Sequence, residues 1–382
     1  MPPLRRFWQP TLPLLYLLFG KVAALPAETH PFPANLRREV SASGEDSLRT
    51  HFIDSIPRAL LGINYGVGLA KNPLPSGQAF ALLRDVGVNK IKLFDHDMAT
   101  LELISSTIPN AAVTIGFSTE EMLSLADHPS LAFEALQPLQ VYDSLIQYIA
   151  LASEPNESLP PSTLSRALPR ALTQVNSALD NLDMRAKVTV PFTMALLHPL
   201  HTPAFFLEAW NETLSLILPI FHERKAPFMM NIHPYPAYVE ALAEPGSDPS
   251  AGEGISLTYA LGSAGELRNG SWLEAEYKRV QEALTGSGYP SMRVVIGETG
   301  WPTAGGEAAT VENTCTYVNG LVSWVGLGVE EGEAGREVYV FEAFDEELKP
   351  AEGIEPHWGV MTERGVPKFR VQWQGQGERS SL

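Results

Sequence analysis

The chain has 382 residues, of which 45% are hydrophobic and 19% charged, so its composition allows a large globular core. Its net charge of −17 argues against binding to nucleic acid or to an anionic membrane surface, because both carry negative charge. The single cysteine, Cys315, excludes an internal disulfide.

The N-terminus has the pattern of a secretory signal. Arg5 and Arg6 precede the apolar run 11–20, which is too short to span a membrane, and small residues follow at 22–24. We predict a signal peptide over 1–24 and a protein that is secreted to the extracellular space or cell wall, with no membrane span. An apolar N-terminal helix packed on the domain is the alternative. Residues 25–57 are rich in proline, serine and charge, which predicts a flexible leader.

Short apolar segments alternate with helical segments over most of the remaining chain. Segments 78–87, 162–182 and 272–285 have helical spacing, and Pro169 is expected to kink or split the second. The alternation predicts an α/β fold, a single (β/α)8 TIM barrel over 58–372, followed by a polar tail over 373–382. An open doubly wound sheet is the alternative, although no glycine-rich phosphate turn follows the first strand. The eight predicted strands are 59–66, 90–95, 111–117, 148–154, 187–192, 228–235, 293–300 and 338–344.

Two glutamates end predicted strands that face each other across the barrel. Glu154 ends the fourth strand, and Glu298 ends the seventh, just before Gly300 and Pro302. Active sites of these barrels lie at the C-terminal ends of the strands. Glycoside hydrolysis with retention needs two carboxyl groups about 5 Å apart, so we predict this pair as catalytic. A buried structural glutamate paired with an arginine is the alternative for Glu298.

The motifs around these glutamates resemble those of the plant-type glucan endo-1,3-β-glucosidases, glycoside hydrolase family 17. The resemblance runs in order from about residue 60 to 369. It implies a hydrolase of β-1,3-glucan without a cofactor, in which Glu298 is the nucleophile and Glu154 the general acid/base. The motifs are GINYG at 62–66, KLFD at 92–95, NIHPY at 231–235, GETGWPT at 297–303, FDEELKP at 344–350 and EPHWGV at 355–360.

The resemblance also implies a charged cluster of Glu346, Lys349 and Glu355 beside the nucleophile. Lys349 would favour the ionised form of Glu298 if it lies near it. Solvated surface positions are the alternative for the cluster.

Further residues near the predicted strand ends are candidates for sugar contact. Aromatic rings can pack on the apolar faces of glucose units, and polar groups can bind hydroxyls. A core position is the alternative for each aromatic residue. The predicted substrate contacts, besides the cluster, are Tyr65, Phe94, Ser153, Asn231, His233, Tyr235 and Trp301.

The chain departs from the family pattern at two of these positions. Ser153 stands where the family usually has the asparagine that contacts the sugar 2-hydroxyl, and His233 stands where it often has tyrosine. Both changes affect polar contacts in the cleft. They motivate a non-catalytic glucan-binding wall protein as one alternative function, beside a transglycosylase that remodels cell-wall glucan.

Three glycosylation sequons agree with secretion. We predict Asn211 and Asn269 as glycosylated, and Asn156 as unmodified, because a glycan two residues after Glu154 would crowd the cleft. The histidines do not gather at metal-ligand spacing, so no metal site is predicted. We expect a monomer, and the choice between β-1,3 and mixed β-1,3/1,4 linkages stays open.

Overall fold

The computed structural model describes residues 60–199, 203–243, 254–262, 267, 270–330, 335–350, 353–371 and 373. The predicted signal peptide, the leader, the tail beyond Trp373 and Asn269 lie outside these described residues. Trp373, predicted as the first residue of the tail, is buried in the core. In the described part of the chain, no helix has the length and apolar character needed to cross a membrane.

Parallel strands alternate with helices along the chain. The strands are β1 (Leu61–Tyr65), β2 (Lys90–Leu93), β3 (Ala112–Phe117), β4 (Ile146–Leu151), β5 (Lys187–Thr189), β6 (Pro191–Thr193), β7 (Phe228–Asn231), β8 (Val294–Thr299) and β9 (Glu337–Val340). The α-helices are α1 (Ser76–Asp85), α2 (Met98–Thr107), α3 (Thr119–Asp127), α4 (Pro129–Leu136), α5 (Pro155–Ser158), α6 (Pro161–Asn181), α7 (Asn211–Arg224), α8 (Pro234–Ala243), α9 (Leu257–Leu261), α10 (Trp272–Gly286) and α11 (Val311–Glu330).

The sheet closes into a barrel. Its strand order is β5-β4-β3-β2-β1-β9-β8-β7-β6, and the first strand pairs in parallel with the last. The two end strands, β5 and β6, are separated in sequence only by Val190, so they are two pieces of one strand. Counting them together gives the eight predicted strands. The predicted (β/α)8 barrel is therefore confirmed, and the open doubly wound sheet is wrong.

Two predicted elements that contain a proline differ from the structure. The predicted strand 228–235 ends at Asn231, and Pro234 begins α8, where a missing backbone N–H costs nothing. Tyr235 is therefore helical. Pro169, expected to kink or split a helix, lies inside the continuous helix α6. The apolar face of α6 is buried against α3 and α7, and this packing stabilises the helix despite the lost hydrogen bond.

Charged residues fill the barrel interior at the N-terminal ends of the strands. Lys90 has no exposed surface, and its Nζ lies 2.6 Å from a carboxylate oxygen of Glu337. Arg293 and the Tyr148 hydroxyl contact the other oxygen of Glu337. Above this layer, a separate cluster closes the middle of the barrel: Tyr148, Met229, Val295 and Tyr339. Within the barrel, this packing leaves the C-terminal ends of the strands open for a site.

Candidate active site

An extra residue in β8 aims Glu298 into the mouth of the barrel. From Ile296 to Thr299, β8 advances three residues while β9 advances two, so the ladder contains a β-bulge. The neighbouring β7 ladder shows the same shift, with Asn231 opposite Glu298. Because side chains alternate along a strand, one added residue changes the face to which the next side chain points. Glu298 is 6% exposed.

Glu154 follows β4 in a left-handed backbone conformation, with φ 46° and ψ 47°. Residues other than glycine seldom adopt this conformation, and it is commonest where a site holds a side chain in place. Two contacts hold Glu154. Its backbone N–H donates to the Pro191 carbonyl at 3.0 Å, and Asn231 Nδ2 donates to its Oε1 at 2.8 Å. The split strand β5–β6 and β7 therefore both position this carboxyl group.

The two glutamates lie close together in contrasting electrostatic environments. One carboxyl oxygen of each, together with a ring nitrogen of His233, lies within 4.8 Å of the others. Burial raises the pKa of Glu154 to about 7, and the negative charge of Glu298 adds to this effect. Burial alone would also raise the pKa of Glu298, but Lys92 and His233 outweigh it and lower this pKa to about 2. The shifts have opposite directions, so Glu298 favours its ionised form and Glu154 its protonated form.

The positive charge beside Glu298 comes from Lys92. Its Nζ donates to Glu298 Oε1 at 2.9 Å and to Asn64 Oδ1 at 3.0 Å. Asn64 in turn donates to the Gly297 and Val340 carbonyls, each at 3.2 Å. A signal for this contact was present in the sequence: Lys90 and Lys92 alternate in an otherwise apolar strand, and buried lysines require partners.

Lys349 instead lies within a second charged cluster. Its Nζ is 2.8 Å from Glu342 and 2.9 Å from Glu346, and it sits 4.9 Å from the centre of the Phe341 ring. The charge of Lys349 is matched by these two carboxylates, and the groups that lower the pKa of Glu298 are Lys92 and His233. Glu342, which the sequence did not single out, is 1% exposed, and burial raises its pKa to about 8.

Three of the predicted aromatic platforms are buried. Trp301 has no exposed surface, and its Nε1 donates to the Ala308 carbonyl at 2.9 Å. Tyr235, 2% exposed, packs edge-on against Trp301, and Tyr65 packs on Phe80. Trp301 has no exposed surface with which to stack on a sugar, which contradicts the prediction for that ring. For Tyr65 and Tyr235 the role stays a prediction, because Glu298 and Asn231 are buried to the same degree.

Two half-buried aromatic residues remain at the strand ends. Phe94 lies beneath Lys92, whose Nζ is 4.3 Å from the ring centre. Phe341, which the sequence did not single out, has edge-on contacts with Phe94 at 6.4 Å and His233 at 5.7 Å. Through Lys92 and His233, both rings lie close to groups that contact or approach Glu298.

The other predicted contact residues are placed around the glutamates. His233 Nε2 lies 3.8 Å from Glu298 Oε2, an ion-pair distance that is too long for a hydrogen bond. Ser153 Oγ is buried without a hydrogen-bond partner among the described residues. Glu346 Oε1 accepts from the Leu69 N–H at 3.1 Å. Glu355 is half-buried in a single 3-10 turn, Glu355–His357.

Two neighbouring carboxyl groups at the C-terminal end of a (β/α)8 barrel, one ionised and one able to hold a proton, are the arrangement that glycosidases use. Comparison with known proteins gives the family. The model of glycosyl hydrolases family 17 matches residues 61–373, and the chain belongs to that family.

Relatives and solved structures agree with this assignment. The chain is 27% identical to glucan endo-1,3-beta-glucosidase 3 of Arabidopsis thaliana, over 84% of this chain and 66% of that protein. It therefore spans about two thirds of that relative. It is also 27% identical to glucan endo-1,3-beta-glucosidase GII of Hordeum vulgare, over 88% of this chain and 99% of that protein. The structure of CJP38, a beta-1,3-glucanase and allergen of Cryptomeria japonica pollen, superposes with a TM-score of 0.71, 26% identity and coverage of 82% and 99%.

Proposed function

We propose that this chain is a secreted, endo-acting β-1,3-glucan hydrolase that works with retention of configuration at the anomeric carbon. The observation that carries the proposal is the approach of Glu154 and Glu298 to within 4.8 Å between carboxyl oxygens. Retaining glycosidases hold these groups about 5–5.5 Å apart, whereas inverting enzymes need about 6.5–9.5 Å to admit a water molecule.

In the first step, the ionised carboxylate of Glu298 attacks the anomeric carbon. The bond from this carbon to the glycosidic oxygen breaks, and Glu154 donates its proton to the departing oxygen. Lys92 keeps Glu298 ionised through its contact with Oε1, and the other oxygen, Oε2, is left to attack. The products are a glycosyl ester on Glu298 and a glucan chain with a new free hydroxyl group.

In the second step, water replaces the departed chain. Glu154, now a carboxylate, takes a proton from the water as its oxygen attacks the anomeric carbon. The ester bond breaks and Glu298 returns to its ionised form, while Glu154 regains the proton it had lost. Both attacks invert the anomeric carbon, so the product retains the configuration of the substrate.

The choice of β-1,3-glucan as the substrate is supported by the relatives, which are named as glucan endo-1,3-β-glucosidases. The residues around the glutamates suit a neutral polysaccharide. Phe94 and Phe341 offer ring surface, and Ser153, Asn231 and Glu346 offer polar atoms for sugar hydroxyls.

Secretion is supported by the signal-like N-terminus and by the position of one sequon. Asn211 is exposed at the start of α7, where a glycan would project into solvent. Asn156 is 7% exposed, and its amide donates to Thr193 Oγ1 at 2.8 Å, which leaves no room for a glycan. We propose Asn211 and Asn269 as the glycosylated positions.

The experiment that tests the proposal measures the products formed from laminarin, lichenan and cellulose. We expect internal cleavage of laminarin, with the β-anomer formed first. Glu298→Gln should lower kcat by at least about 10³-fold, because it removes the nucleophile without changing shape. Equally fast cleavage of laminarin by Glu298→Gln would refute the mechanism.

Other outcomes distinguish the alternative functions. Products longer than the starting oligosaccharide would indicate a transglycosylase. Binding of laminarin oligosaccharides without any new reducing ends would indicate a glucan-binding protein. Cleavage of lichenan in preference to laminarin would indicate a preference for mixed β-1,3/1,4 linkages, hydrolysed by the same two steps.

A further inference from the structure

We propose that Glu154, His233 and Glu298 form a binding site for a divalent transition-metal ion such as Zn²⁺, and that the bound ion blocks hydrolysis. The second part rests on the proposed function, since it concerns the same two glutamates. The first part does not, because ion binding can be measured without glucan.

The three side chains come from distant parts of the sequence but converge in space. Glu154 follows β4, His233 follows β7, and Glu298 lies in β8. Their ligand atoms all lie within 4.8 Å of one another, and His233 Nε2 is 3.8 Å from Glu298 Oε2. Ligands bind Zn²⁺ at about 2.0–2.2 Å, so two ligands of a tetrahedral ion lie about 3.3–3.6 Å apart. The widest gap must therefore close by at most about 1.5 Å, which rotation of the side chains achieves.

Charge favours a cation at this position. Lys92 contacts Oε1 of Glu298, so Oε2 is the oxygen that faces His233. Among the described residues, no lysine or arginine lies within ion-pair distance of Glu154. A divalent ion between the two carboxylates would supply the positive charge that Glu154 lacks. Lys92 acts in the opposite direction, which makes the site weaker than one built from three unpaired ligands.

A buried amide adds a fourth candidate ligand. Asn231 is 2% exposed, its Nδ2 lies 2.8 Å from Glu154 Oε1, and its Oδ1 has no hydrogen-bond partner among the described residues. Rotation of the amide by half a turn exchanges its nitrogen and oxygen. The oxygen would then lie beside Glu154, where it can complete a tetrahedral set of one nitrogen and three oxygen ligands.

The imidazole of His233 determines which metal ions the site is expected to bind. Imidazole nitrogen suits Zn²⁺, Cu²⁺ and Ni²⁺, whereas Mg²⁺ and Ca²⁺ prefer sets of oxygen ligands. The family often has tyrosine here, and a neutral phenol does not replace imidazole as a ligand. No spacing within the sequence could reveal the site, because residues 154, 233 and 298 meet only in the folded barrel.

An ion held by both carboxylates would prevent both steps of hydrolysis. It would occupy the oxygen of Glu298 that attacks the anomeric carbon and the oxygen of Glu154 that carries the proton. It would also stand where the cleaved bond must lie, so Zn²⁺ and glucan should exclude one another.

The test measures binding to the full chain by calorimetry with Zn²⁺, and by the visible absorption of Co²⁺ as a probe of ligand geometry. His233→Tyr should weaken Zn²⁺ binding by at least about tenfold and remove the Co²⁺ bands. Glu154→Gln, which changes a different ligand, should also weaken binding. His96→Asn is the matched control, because His96 lies 3.8 Å from only one carboxylate, Glu121, and should bind Zn²⁺ as the wild type does.

Inhibition is measured separately, with wild-type protein and laminarin. We expect Zn²⁺ to raise the apparent KM without lowering kcat, and Mg²⁺ at the same concentration to have no effect. Unchanged Zn²⁺ affinity in both folded ligand variants would overturn the proposed site, as would full activity of the zinc-bound protein. A wild type that binds Zn²⁺ but hydrolyses no glucan would refute the proposed function and leave the ion site standing.

Discussion

At the scale of single residues, two chemically identical side chains, Glu154 and Glu298, have pKa values that are shifted in opposite directions. Both glutamates are desolvated, and desolvation by itself favours the protonated form of each. The difference is the 2.9 Å contact from Lys92, which reaches Glu298 and not Glu154. One lysine therefore separates the two roles that we propose, Glu298 as nucleophile and Glu154 as acid.

Replacing Lys92 by methionine tests this role. The change removes the charge but keeps most of the side-chain volume. The pKa of Glu298 should rise, because burial then acts unopposed except by His233. We expect kcat/KM to fall by about 10²-fold or more and the acidic limb of its pH profile to move upward. Lys71→Met, at an exposed lysine, is the control and should leave the profile unchanged.

The pH dependence of the wild type provides a second test. Glu154 must be protonated to act as the acid, and its pKa is raised to about 7, so kcat/KM should fall as the pH rises through 7. Glu298 must be ionised, and its pKa of about 2 predicts activity that persists well into the acidic range. The measurement is kcat/KM on laminarin oligosaccharides against pH. A basic limb that survives in Glu154→Gln would assign it to another group.

At the scale of elements, the bulge in β8 determines where the side chain of Glu298 points. Gly297, inside the bulge, has its Cα turned toward Met229 and Asn231. A Cβ added there would lie 2.7 Å from Asn231 Oδ1 and 2.8 Å from Met229 Cγ. Both neighbours are buried, so neither can move away easily. The absence of a side chain at this position is what permits β7 and β8 to approach behind the catalytic residues.

Gly297→Ala should therefore damage stability and activity together. We expect a loss of about 1–3 kcal/mol in the free energy of unfolding, from overpacking, and a fall in kcat as Asn231 is displaced from Glu154. Denaturant unfolding and laminarin assays measure the two effects. Gly286→Ala is the control, because no atom lies within 4 Å of its added Cβ, and it should behave as the wild type.

At the scale of the whole molecule, the two ends of the barrel differ. The N-terminal ends of the strands hold an ionic layer, and the C-terminal ends hold the paired glutamates. The ionic layer of Lys90, Glu337 and Arg293 lies at the N-terminal ends of the strands, and the aromatic and aliphatic cluster above it divides this layer from the site. Glu337 forms ion pairs with both Lys90 and Arg293. Without it, burial would lower the pKa of Lys90 further, and its ammonium group would lose its opposite charge in a fully buried position.

Glu337→Gln should lower the free energy of unfolding by about 3–5 kcal/mol, the usual cost of leaving a buried charge unpaired. Because the layer lies far from the glutamates, the folded variant should keep its kcat on laminarin. Thermal unfolding and initial rates at low temperature measure the two quantities. Asp85→Asn, which breaks the exposed pair with Arg84, should change neither. A large loss of kcat in Glu337→Gln would show that the two ends are coupled.

The sequence by itself determined the fold, because the alternation of apolar strands and helical segments is a local pattern that survives small errors in the bounds of each element. It also indicated that both glutamates lie at the C-terminal end of the barrel, since Glu298 lies near the end of the apolar strand β8 and Glu154 comes shortly after β4. It could not separate the roles of Lys92 and Lys349. Which cation reaches a carboxylate depends on strand register and closure, and these join residues more than 200 positions apart.

Only the tertiary structure decided which aromatic residues remain accessible. Trp301 and Phe341 both follow strands of the barrel, and nothing in their local sequence shows that the first is buried and the second half-buried. The same holds for His233, which meets Glu154 and Glu298 only after the barrel closes. Burial and convergence are properties of the packed molecule, since each depends on neighbours that are distant in sequence.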